Sequence, residues 1–342
     1  EASDVQVAPY ADQYFEYDSQ QRVTSTQVSG GEQTFGYSYS TSSHSQSPSN
    51  WKTKTVETRS DGSEQTVYTN FLGQTLVDDF KSGSDHWINA FKYNSDYHQI
   101  EHANPSAVSA YNDSYANLNV AFNSSSGLIR LTDYYSTTGG GAAAGHVQFE
   151  KIKKGSSGTA IKLKELKYTS RSVGSVTIYP VAKETIYRNA DGTGGIDTET
   201  SYTWHTGTLQ IEQRTTTLPA VGSSQHGSGT APTRVQRLDL YGNMLWSKNE
   251  LGVIDRRSYD IPTGALVQSI ADVDTTLVSD EPSGWSPPSG GGLHLVTDYE
   301  FSPLGEITQT LGPSHTIDLN GIATTVRSAT WTVHKYWDHE VW

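Results

Sequence analysis

A short turn unit recurs along this chain and constrains its fold more than any other feature. Each copy places Asp, Asn or Ser after an apolar or polar strand residue, then variable residues, then as a rule glycine before the next segment begins. A side chain of this kind at the first turn position accepts a hydrogen bond from a backbone N–H, and glycine at the fourth tolerates positive φ. Alternating residues on both sides of such a turn predict a β-hairpin.

The first copy is YFEYDSQQRV, in which Tyr17 and Asp18 begin the turn and Gln21 occupies the glycine position. The other turn residues are Asn70 and Gly73, Asn94, Asn123 and Gly127, Asp239 and Gly242, Asn249 and Gly252, Asp260 and Gly264, and Ser302 and Gly305. A shortened copy surrounds Trp204 and Gly207. The spacing varies from about ten to about fifty residues, which fits a solenoid of fixed period poorly. The sequence therefore predicts an all-β fold of irregularly repeated antiparallel hairpins.

This unit resembles the YD repeat of the RHS and teneurin families, which reads roughly Tyr-x-Tyr-Asp-x-x-Gly-Arg-Leu. The residues that match it in the first copy are Tyr17, Asp18, Arg22 and Val23. Another common form of the unit is matched by Asp239, Gly242 and Asn243. The resemblance covers residues 10–130 and 185–342. Generic hairpins of another all-β protein are the alternative.

The resemblance implies an extended, curved or spiralling sheet. In the family such sheets close into a hollow shell, which in bacterial members can enclose a toxic C-terminal segment. The family's terminal core motif, rich in Asp-Pro-x-Gly and Asn-Pro, does not occur in this sequence, so neither autocleavage nor a toxin is expected here. We expect residues 1–342 to form a single unit of a longer chain.

Composition excludes several classes of protein. With 0 cysteines among 342 residues, neither disulfides nor cysteine-ligated zinc can stabilise the fold. The net charge of -13 disfavours binding to nucleic acid. No apolar window is long enough to span a membrane. The many polar residues, together with 31 glycines and 20 tyrosines, are typical of an extracellular or cell-surface β-protein.

The segment 147–187 predicts a hairpin that turns at Gly155–Gly158 and is inserted between the repeats. Ile161 and Leu163 alternate there with lysines. Alternation of this kind predicts one apolar face and one solvated face. The lysines expected on the solvated face are Lys151, Lys153, Lys154, Lys162, Lys164 and Lys167. Such a face discourages edge pairing or, alternatively, docks an acidic neighbour.

Two stretches contain metal-ligand residue types. HQIEH, with His98, Glu101 and His102, matches a zinc-protease pattern that requires a helix. It follows a predicted turn, where a strand would direct Glu101 away from both histidines. Asp191, Asp197 and Glu199 lie near glycines and loosely resemble a calcium loop. We expect no catalytic metal and no cofactor, with a structural calcium ion as the remaining option.

No serine-nucleophile or phosphate-binding motif occurs, and we nominate no catalytic residues. Aromatic residues gather at the C-terminus as candidate interaction residues, namely Trp331, Tyr336, Trp337 and Trp342. They suit either the sheet core or a carbohydrate or protein ligand. We therefore expect a non-enzymatic extracellular scaffold whose partners are further repeats of the same or neighbouring chains. The alternative is a secreted carbohydrate-active enzyme or carbohydrate-binding module.

Overall fold

The computed structural model describes residues 4–334. Apart from one short helix, Asp4–Val7, and five single 3-10 turns, its regular structure consists of strands. Of these, 21 belong to one antiparallel sheet, and two further pairs form small separate sheets. The predicted all-β fold of antiparallel hairpins is confirmed.

Contacts within the chain group it into two compact units. Unit 1 comprises Glu1–Lys167 and Thr185–Ile196, and unit 2 comprises Tyr168–Glu184 and Asp197–Trp342. The expectation of a single unit over residues 1–342 stays a prediction, and the two units are described separately.

Unit 1 is built mainly from neighbouring hairpins. Its strands are β1 Gln13–Tyr17, β2 Val23–Val28, β3 Gln33–Thr41, β4 Thr53–Arg59, β5 Glu64–Thr69, β6 Thr75–Ser82, β7 Asp85–Tyr93, β8 Gln99–Ala103, β9 Val108–Ala110, β10 Ala121–Phe122, β11 Leu128–Tyr134, β12 Val147–Lys154 and β13 Ile161–Tyr168. Strands β1 to β8 pair in chain order, and β8 then pairs with β11. The short pair β9–β10 lies in the connection between β8 and β11.

Unit 2 repeats the same plan. Its strands are β14 Arg171–Val173, β15 Val176–Ile178, β16 Val181–Tyr187, β17 Gly195–Trp204, β18 Ile211–Thr217, β19 Thr233–Leu238, β20 Met244–Lys248, β21 Ile254–Tyr259, β22 Leu266–Ala271, β23 Leu295–Phe301, β24 Ile307–Leu319 and β25 Ile322–Trp331. The division between the units falls within β16 and β17 and before the last residue of β13, Tyr168. From β17 to β25 each strand pairs with the next one along the chain.

Each unit has one apolar core, formed where a long connection packs on the sheet. In unit 1 the connection between β8 and β11 contributes Val108 and Leu118, which pack with Tyr68, Val77 and other buried residues of the sheet. In unit 2 the connection between β22 and β23 contributes Val273. The sheet residues buried with it are Trp246, Ile254 and Ile270. Elsewhere the strands are largely half-exposed, as the strict alternation of exposed and half-buried residues along β17 illustrates.

The segment 147–187 begins with a hairpin that joins the main sheet, and its insertion between the repeats stays a prediction. Strand β12 pairs with β11 as well as with β13, so this hairpin is a regular part of the sheet. The turn lies at Gly155–Gly158, as predicted, but a register shift between Glu150 and Lys151 disturbs the expected alternation. Leu163 is exposed, whereas Lys162 is half-buried over the rings of Phe149 and Tyr187.

The lysines of this segment are partly matched by acidic neighbours. Lys151 forms an ion pair with Asp133, and Lys153 lies 4.0 Å from Glu101. Lys167 lies 3.6 Å from Glu165 on its own strand. A uniformly basic docking face is therefore a weaker interpretation of this hairpin than a face of mixed charge.

Candidate functional site

The predicted turn at Asn70 joins β5 to β6 through a three-residue loop with a β-bulge. The Gly73 N–H donates to the Asn70 C=O at 3.0 Å, and the Asn70 N–H donates to the Gln74 C=O at 2.9 Å. The side-chain oxygen Oδ1 of Asn70 accepts from the N–H groups of Leu72 and Gln74, both at 3.0 Å. Gly73 has φ +80°, the left-handed conformation that this hairpin type requires at its last loop residue. One side chain thus satisfies two donors of its own turn.

The same bonds recur at other predicted turns. At Asp18, Asn94, Asp239 and Asn249 the backbone closes in the same way, and the side-chain oxygen accepts from the second and fourth following N–H groups. Ser302 does so with its hydroxyl oxygen, at 3.2 and 3.3 Å. The turn is therefore one structural unit that both units of the chain use repeatedly.

The loop position with positive φ is occupied by residues other than glycine in two of these turns. Gly242, Gly252 and Gly305 hold it with φ between +82° and +88°. In the turns at Asp18 and Asn94, however, Gln21 and Tyr97 hold it with φ +61° and +63°. Residues other than glycine carry a conformational cost in this region, so these two turns retain local strain.

Two predicted turns differ from this unit. The loop at Asp260 is one residue longer, because Gly264 N–H rather than the preceding amide donates to the Asp260 C=O, at 2.8 Å. Asn123 and Gly127 do not close the predicted turn. The Asn123 N–H donates instead to the Ala107 C=O at 2.9 Å, because both residues belong to the connection that covers the unit 1 core and its two ends lie side by side.

Two further hairpins have the same backbone closure as this unit. Arg59 and Gly62 close a hairpin between β4 and β5, and Asn189 and Gly192 close one between β16 and β17. In both, an Asp-Gly pair provides the sequence signal. Their side-chain bonds differ, since the aspartate inside the loop caps the turn, as Asp191 does by accepting from the N–H and hydroxyl of Thr193.

The HQIEH motif lies at and within strand β8, as expected, and its side chains have separate partners. Glu101 forms an ion pair with Lys92 at 2.7 Å. His102 stacks on Phe91, with ring centroids 4.5 Å apart, and His98 stacks on Tyr134 at 4.8 Å. Burial, with a smaller contribution from the charge of Arg130, lowers the pKa of His102.

The loop proposed for calcium has a similar arrangement. Asp191 caps its own hairpin, as described above. In unit 2 the Lys183 ammonium lies 2.5 Å from Asp197 and 3.7 Å from Glu199. Among residues 4–334, no three His, Asp or Glu side chains converge in a group that could hold a metal ion. The expectations about cofactors stay predictions.

Of the C-terminal aromatic residues, only Trp331 lies within the described part of the chain. It is 69% exposed on β25, the last strand of the described residues, and its indole N–H donates to the Gln309 side chain at 2.6 Å. Tyr336, Trp337 and Trp342 lie outside the described residues.

A polar cluster that the sequence did not reveal fixes the covering connection to the unit 1 sheet. The Asp113 carboxylate accepts from the Tyr68 hydroxyl at 2.8 Å and from Lys54 at 3.0 Å. The hydrogen bond from Lys54, followed by the one from Tyr68, lowers the pKa of Asp113. Nearby, the Tyr111 hydroxyl donates at 3.0 Å to Asp79, which is only 2% exposed.

The same buried carboxylate of Asp79 lies 2.8 Å from Nδ1 of His86. Burial raises the pKa of Tyr68, and the hydrogen bond and charge of Asp113 act in the same direction. Burial likewise raises the pKa of Tyr111. Because both phenols stay protonated, they act as donors that fasten the connection, and we name Tyr68, Tyr111, Asp113 and Asp79 the latch.

A surface cleft lies in unit 2 between the turns at Asp239 and Asp260. Its volume is 690 Å³, and its lining includes Tyr241, Tyr259, Trp246 and Arg257. The carboxylates in it are already engaged, since Asp239 and Asp260 cap their turns and Asp280 binds Arg256 at 2.9 Å. Among the aromatic residues that line the cleft, Tyr241 is 77% exposed, Tyr259 is half-buried and Trp246 is buried.

Comparison with known proteins gives no family. No family model matches the chain, and no curated protein matches it. A solved TcdB2-TccC3 structure is similar with a TM-score of 0.31 and 13% identity, over 88% of this chain and 17% of that chain. The TcdB2-TccC3-Cdc42 structure gives 0.32 and 10%, over 95% of this chain and 20% of that chain.

A porin-like protein from Bacteroides uniformis ATCC 8492 is also similar, with a TM-score of 0.24 and 9% identity, over 82% of this chain and 91% of that chain. Similarity at these levels shows neither family nor function. Separately, among the described residues no helix is both long and apolar enough to cross a lipid bilayer.

Proposed function

We propose that this chain is a non-enzymatic extracellular scaffold built from YD-like hairpin repeats, and a segment of a surface, adhesive or toxin-delivery protein or assembly. The observation that carries the proposal is the recurrence of one turn, with the same backbone and side-chain bonds, in both units. A reused turn joins strands of different length and sequence without adding a reactive group. The repeat is therefore suited to extending a sheet and presenting its surface.

The turn tips present apolar side chains to solvent. Tyr241 is 77% exposed in the Asp239 turn, Leu251 is 74% exposed in the Asn249 turn and Leu304 is 71% exposed in the Ser302 turn. The hydrogen bonds of the turn use the side chain of its first residue, and its geometry needs a residue that adopts positive φ. The side chains at the tip take no part in these bonds, so they are available for contact with a partner. Apolar tips on polar hairpins favour protein partners, including further repeats of the same or neighbouring chains.

The location and the lack of catalysis are tested together on cells that produce the protein and on the purified chain. A membrane-impermeant amine reagent is expected to label the chain on intact cells. Labelling only after lysis would overturn the extracellular location.

Purified protein is expected to turn over no substrate in a panel of glycosides, esters and peptides. Turnover that a carboxylate substitution abolishes would overturn the scaffold proposal.

A carbohydrate-binding module is the second candidate, favoured by the cleft that exposes Tyr241 beside Tyr259. Tyrosine rings present flat faces on which sugar rings stack. Binding on a glycan array that Tyr241→Ala removes would support this function. Tyr10→Ala is the matched control, because Tyr10 is 90% exposed and lies outside the cleft. Absence of binding would reject the carbohydrate ligand and leave the scaffold proposal unaffected.

A further inference from the structure

A third strand forms a hydrogen bond to the hairpin that the Asn70 turn closes. The hydroxyl of Tyr93, on β7, donates to the C=O of Thr75 at 2.9 Å. Thr75 is the first residue of β6 and the fifth residue after Asn70. Because β7 is not part of the hairpin of β5 and β6, this bond joins the turn region to the next strand of the sheet.

The same bond recurs at three other turns of the repeated unit. In each copy a tyrosine hydroxyl of the next strand in the sheet donates to the C=O of the fifth residue after the first residue of the turn. The bonds run from Tyr39 to Val23 at 2.7 Å after the Asp18 turn, from Tyr134 to Gln99 at 2.8 Å after the Asn94 turn, and from Tyr259 to Met244 at 3.4 Å after the Asp239 turn. Burial raises the pKa of Tyr39, Tyr93 and Tyr134, so these hydroxyls stay protonated as donors.

The register around these four bonds is identical. Thr75 lies two residues before Val77, where the ladder between β6 and β7 begins, and Tyr93 lies three residues past Ala90, the ladder partner of Val77. The same offsets hold at the other three tyrosines. A carbonyl beyond the end of a ladder still needs a donor, and the tyrosine side chain provides it where backbone pairing has stopped.

Two further turns have a different donor at the same position. One is a backbone N–H and the other is an imidazole nitrogen, which must donate because a carbonyl oxygen only accepts. The bonds run from the Val273 N–H to the Ile254 C=O at 2.7 Å after the Asn249 turn, and from Nε2 of His334 to the Ile307 C=O at 3.2 Å after the Ser302 turn. Both donors keep the offset of three residues from the ladder. The position therefore selects for a donor and not for one residue type.

The Asp260 turn is the exception. Its loop is one residue longer, so the equivalent acceptor is the C=O of Leu266, which lies two residues before Gln268, where the ladder to β23 begins. The residue three past Asp298, the ladder partner of Gln268, is Phe301. A phenyl ring has no donor, so the side chain at this position cannot form the bond.

We infer that this position is the second half of the repeated unit: a hydrogen-bond donor that fastens each turn to the next strand and sets the register between them. We name its occupants the closing residues, which are Tyr39, Tyr93, Tyr134, Tyr259, Val273 and His334. Tyr93 and Tyr259 directly precede Asn94 and Asp260, the first residues of the next turns. One tyrosine thus closes a turn and leads into another, which gives a physical reason for an aromatic residue directly before the turn.

The closing residues also explain how the repeats tolerate insertions. Acceptor and donor are separated by 15 residues for Met244 and Tyr259 and by 35 residues for Gln99 and Tyr134. The offsets from the ladder are the same in both cases, although the connection that covers the unit 1 core lies between Gln99 and Tyr134. Connections of different length can therefore be inserted without shifting the register of the sheet. This inference goes beyond the proposed function, because it concerns how the repeat is built.

Conservative substitutions in unit 1 test the inference by equilibrium unfolding in urea. Tyr39→Phe removes only the hydroxyl and is expected to raise the unfolding equilibrium constant by about two- to tenfold. Tyr37→Phe is the matched control, because Tyr37 lies on the same strand, two residues earlier, and its hydroxyl makes no hydrogen bond within residues 4–334. This control is expected to keep wild-type stability. Equal stability of the two variants would overturn the inference.

A spectroscopic readout ties the loss to the bond itself. In protein labelled with ¹³C at the Val23 carbonyl, Tyr39→Phe is expected to shift the carbonyl resonance, whereas Tyr37→Phe should leave it in place. A resonance that both variants leave unchanged would show that the hydroxyl does not bind this carbonyl and would overturn the inference.

The Asp260 turn allows the opposite test in unit 2. Phe301→Tyr adds the missing hydroxyl, which is expected to donate to the Leu266 C=O and to lower the unfolding equilibrium constant by about two- to tenfold. Phe301→Leu adds no donor and is the control, expected to give no stabilisation. An unchanged or higher constant for Phe301→Tyr would contradict the equivalence of this position. None of these outcomes alters the labelling and turnover results, so failure here and failure of the scaffold proposal are distinguishable.

Discussion

Replacing Asn70 by alanine is expected to destabilise unit 1 far more than the same change at Asn94. Both side chains accept the same two backbone N–H bonds of their turns. Asn70 is 1% exposed, however, and its amide also donates to the Pro48 C=O at 3.1 Å and to the Gln74 side chain at 2.9 Å. The two substitutions therefore remove the same cap but differ in burial and in donated bonds.

The magnitudes follow from these bonds. Asn70→Ala removes four hydrogen bonds of a buried side chain, and at about 1 kcal/mol for each bond it should cost about 3 to 4 kcal/mol. Asn94→Ala should cost about 1 kcal/mol, because water can reach the freed amides. Asn70→Asp keeps the accepting oxygens but loses the amide donors and buries a charge, so it should cost more than Asn94→Ala.

Equilibrium unfolding in urea, followed by tryptophan fluorescence and far-ultraviolet circular dichroism, measures these differences. All three variants lie in unit 1, so the same transition reports each of them. Equal losses for Asn70→Ala and Asn94→Ala would refute the reasoning, since they would show that the donated bonds and burial contribute nothing.

Four other substitutions have expected outcomes. Gln21→Gly should stabilise unit 1 by about 0.5 to 1 kcal/mol, because glycine adopts positive φ without strain. Gly73→Ala should cost about 1 kcal/mol from backbone strain alone, because the added Cβ meets no atom within 4 Å. Thermal melting measures both changes. Tyr111→Phe should leave Asp79 short of one donor and cost about 1 to 3 kcal/mol, measured by urea unfolding. The hydrogen bond from Lys54 lowers the pKa of Asp113 in the folded protein below its ordinary value of 3.8. The stability that this carboxylate contributes is therefore present above pH 3.8 and is lost as the pH falls through the lower pKa of the folded state. Asp113→Asn should make stability less dependent on pH in that range, as measured by acid unfolding.

The turns were predictable because their chemistry is local. An Asp or Asn followed by glycine three residues later determines the hairpin at Asn70, Asp239 and Asn249, and no distant residue is needed. The prediction of a turn at Asn123 was wrong, because the Asn123 N–H donates to the Ala107 C=O instead. Local pattern could not show this competition, since the two segments meet only when the covering connection folds.

The two cores and the latch were not predictable for a related reason. The glycine- and proline-rich stretch at residues 280–292 is typical of a flexible loop, yet Trp285 packs against the core of unit 2 around Trp246. Similarly, Asp113 reaches Lys54 and Tyr68 across 59 and 45 residues of sequence. Such contacts carry no periodicity that a single sequence can reveal.

The left-handed residues of the turns give the most direct test of the repeated unit. Gln21 and Tyr97 occupy the position that glycine holds in other copies, with φ +61° and +63°. Nuclear magnetic resonance of the chain with selectively labelled Gln and Tyr reports φ at these residues through scalar couplings and Cα and Cβ chemical shifts. We predict positive φ at both residues. Negative φ at both would contradict the claim that one turn, reused with the same bonds, builds this sheet.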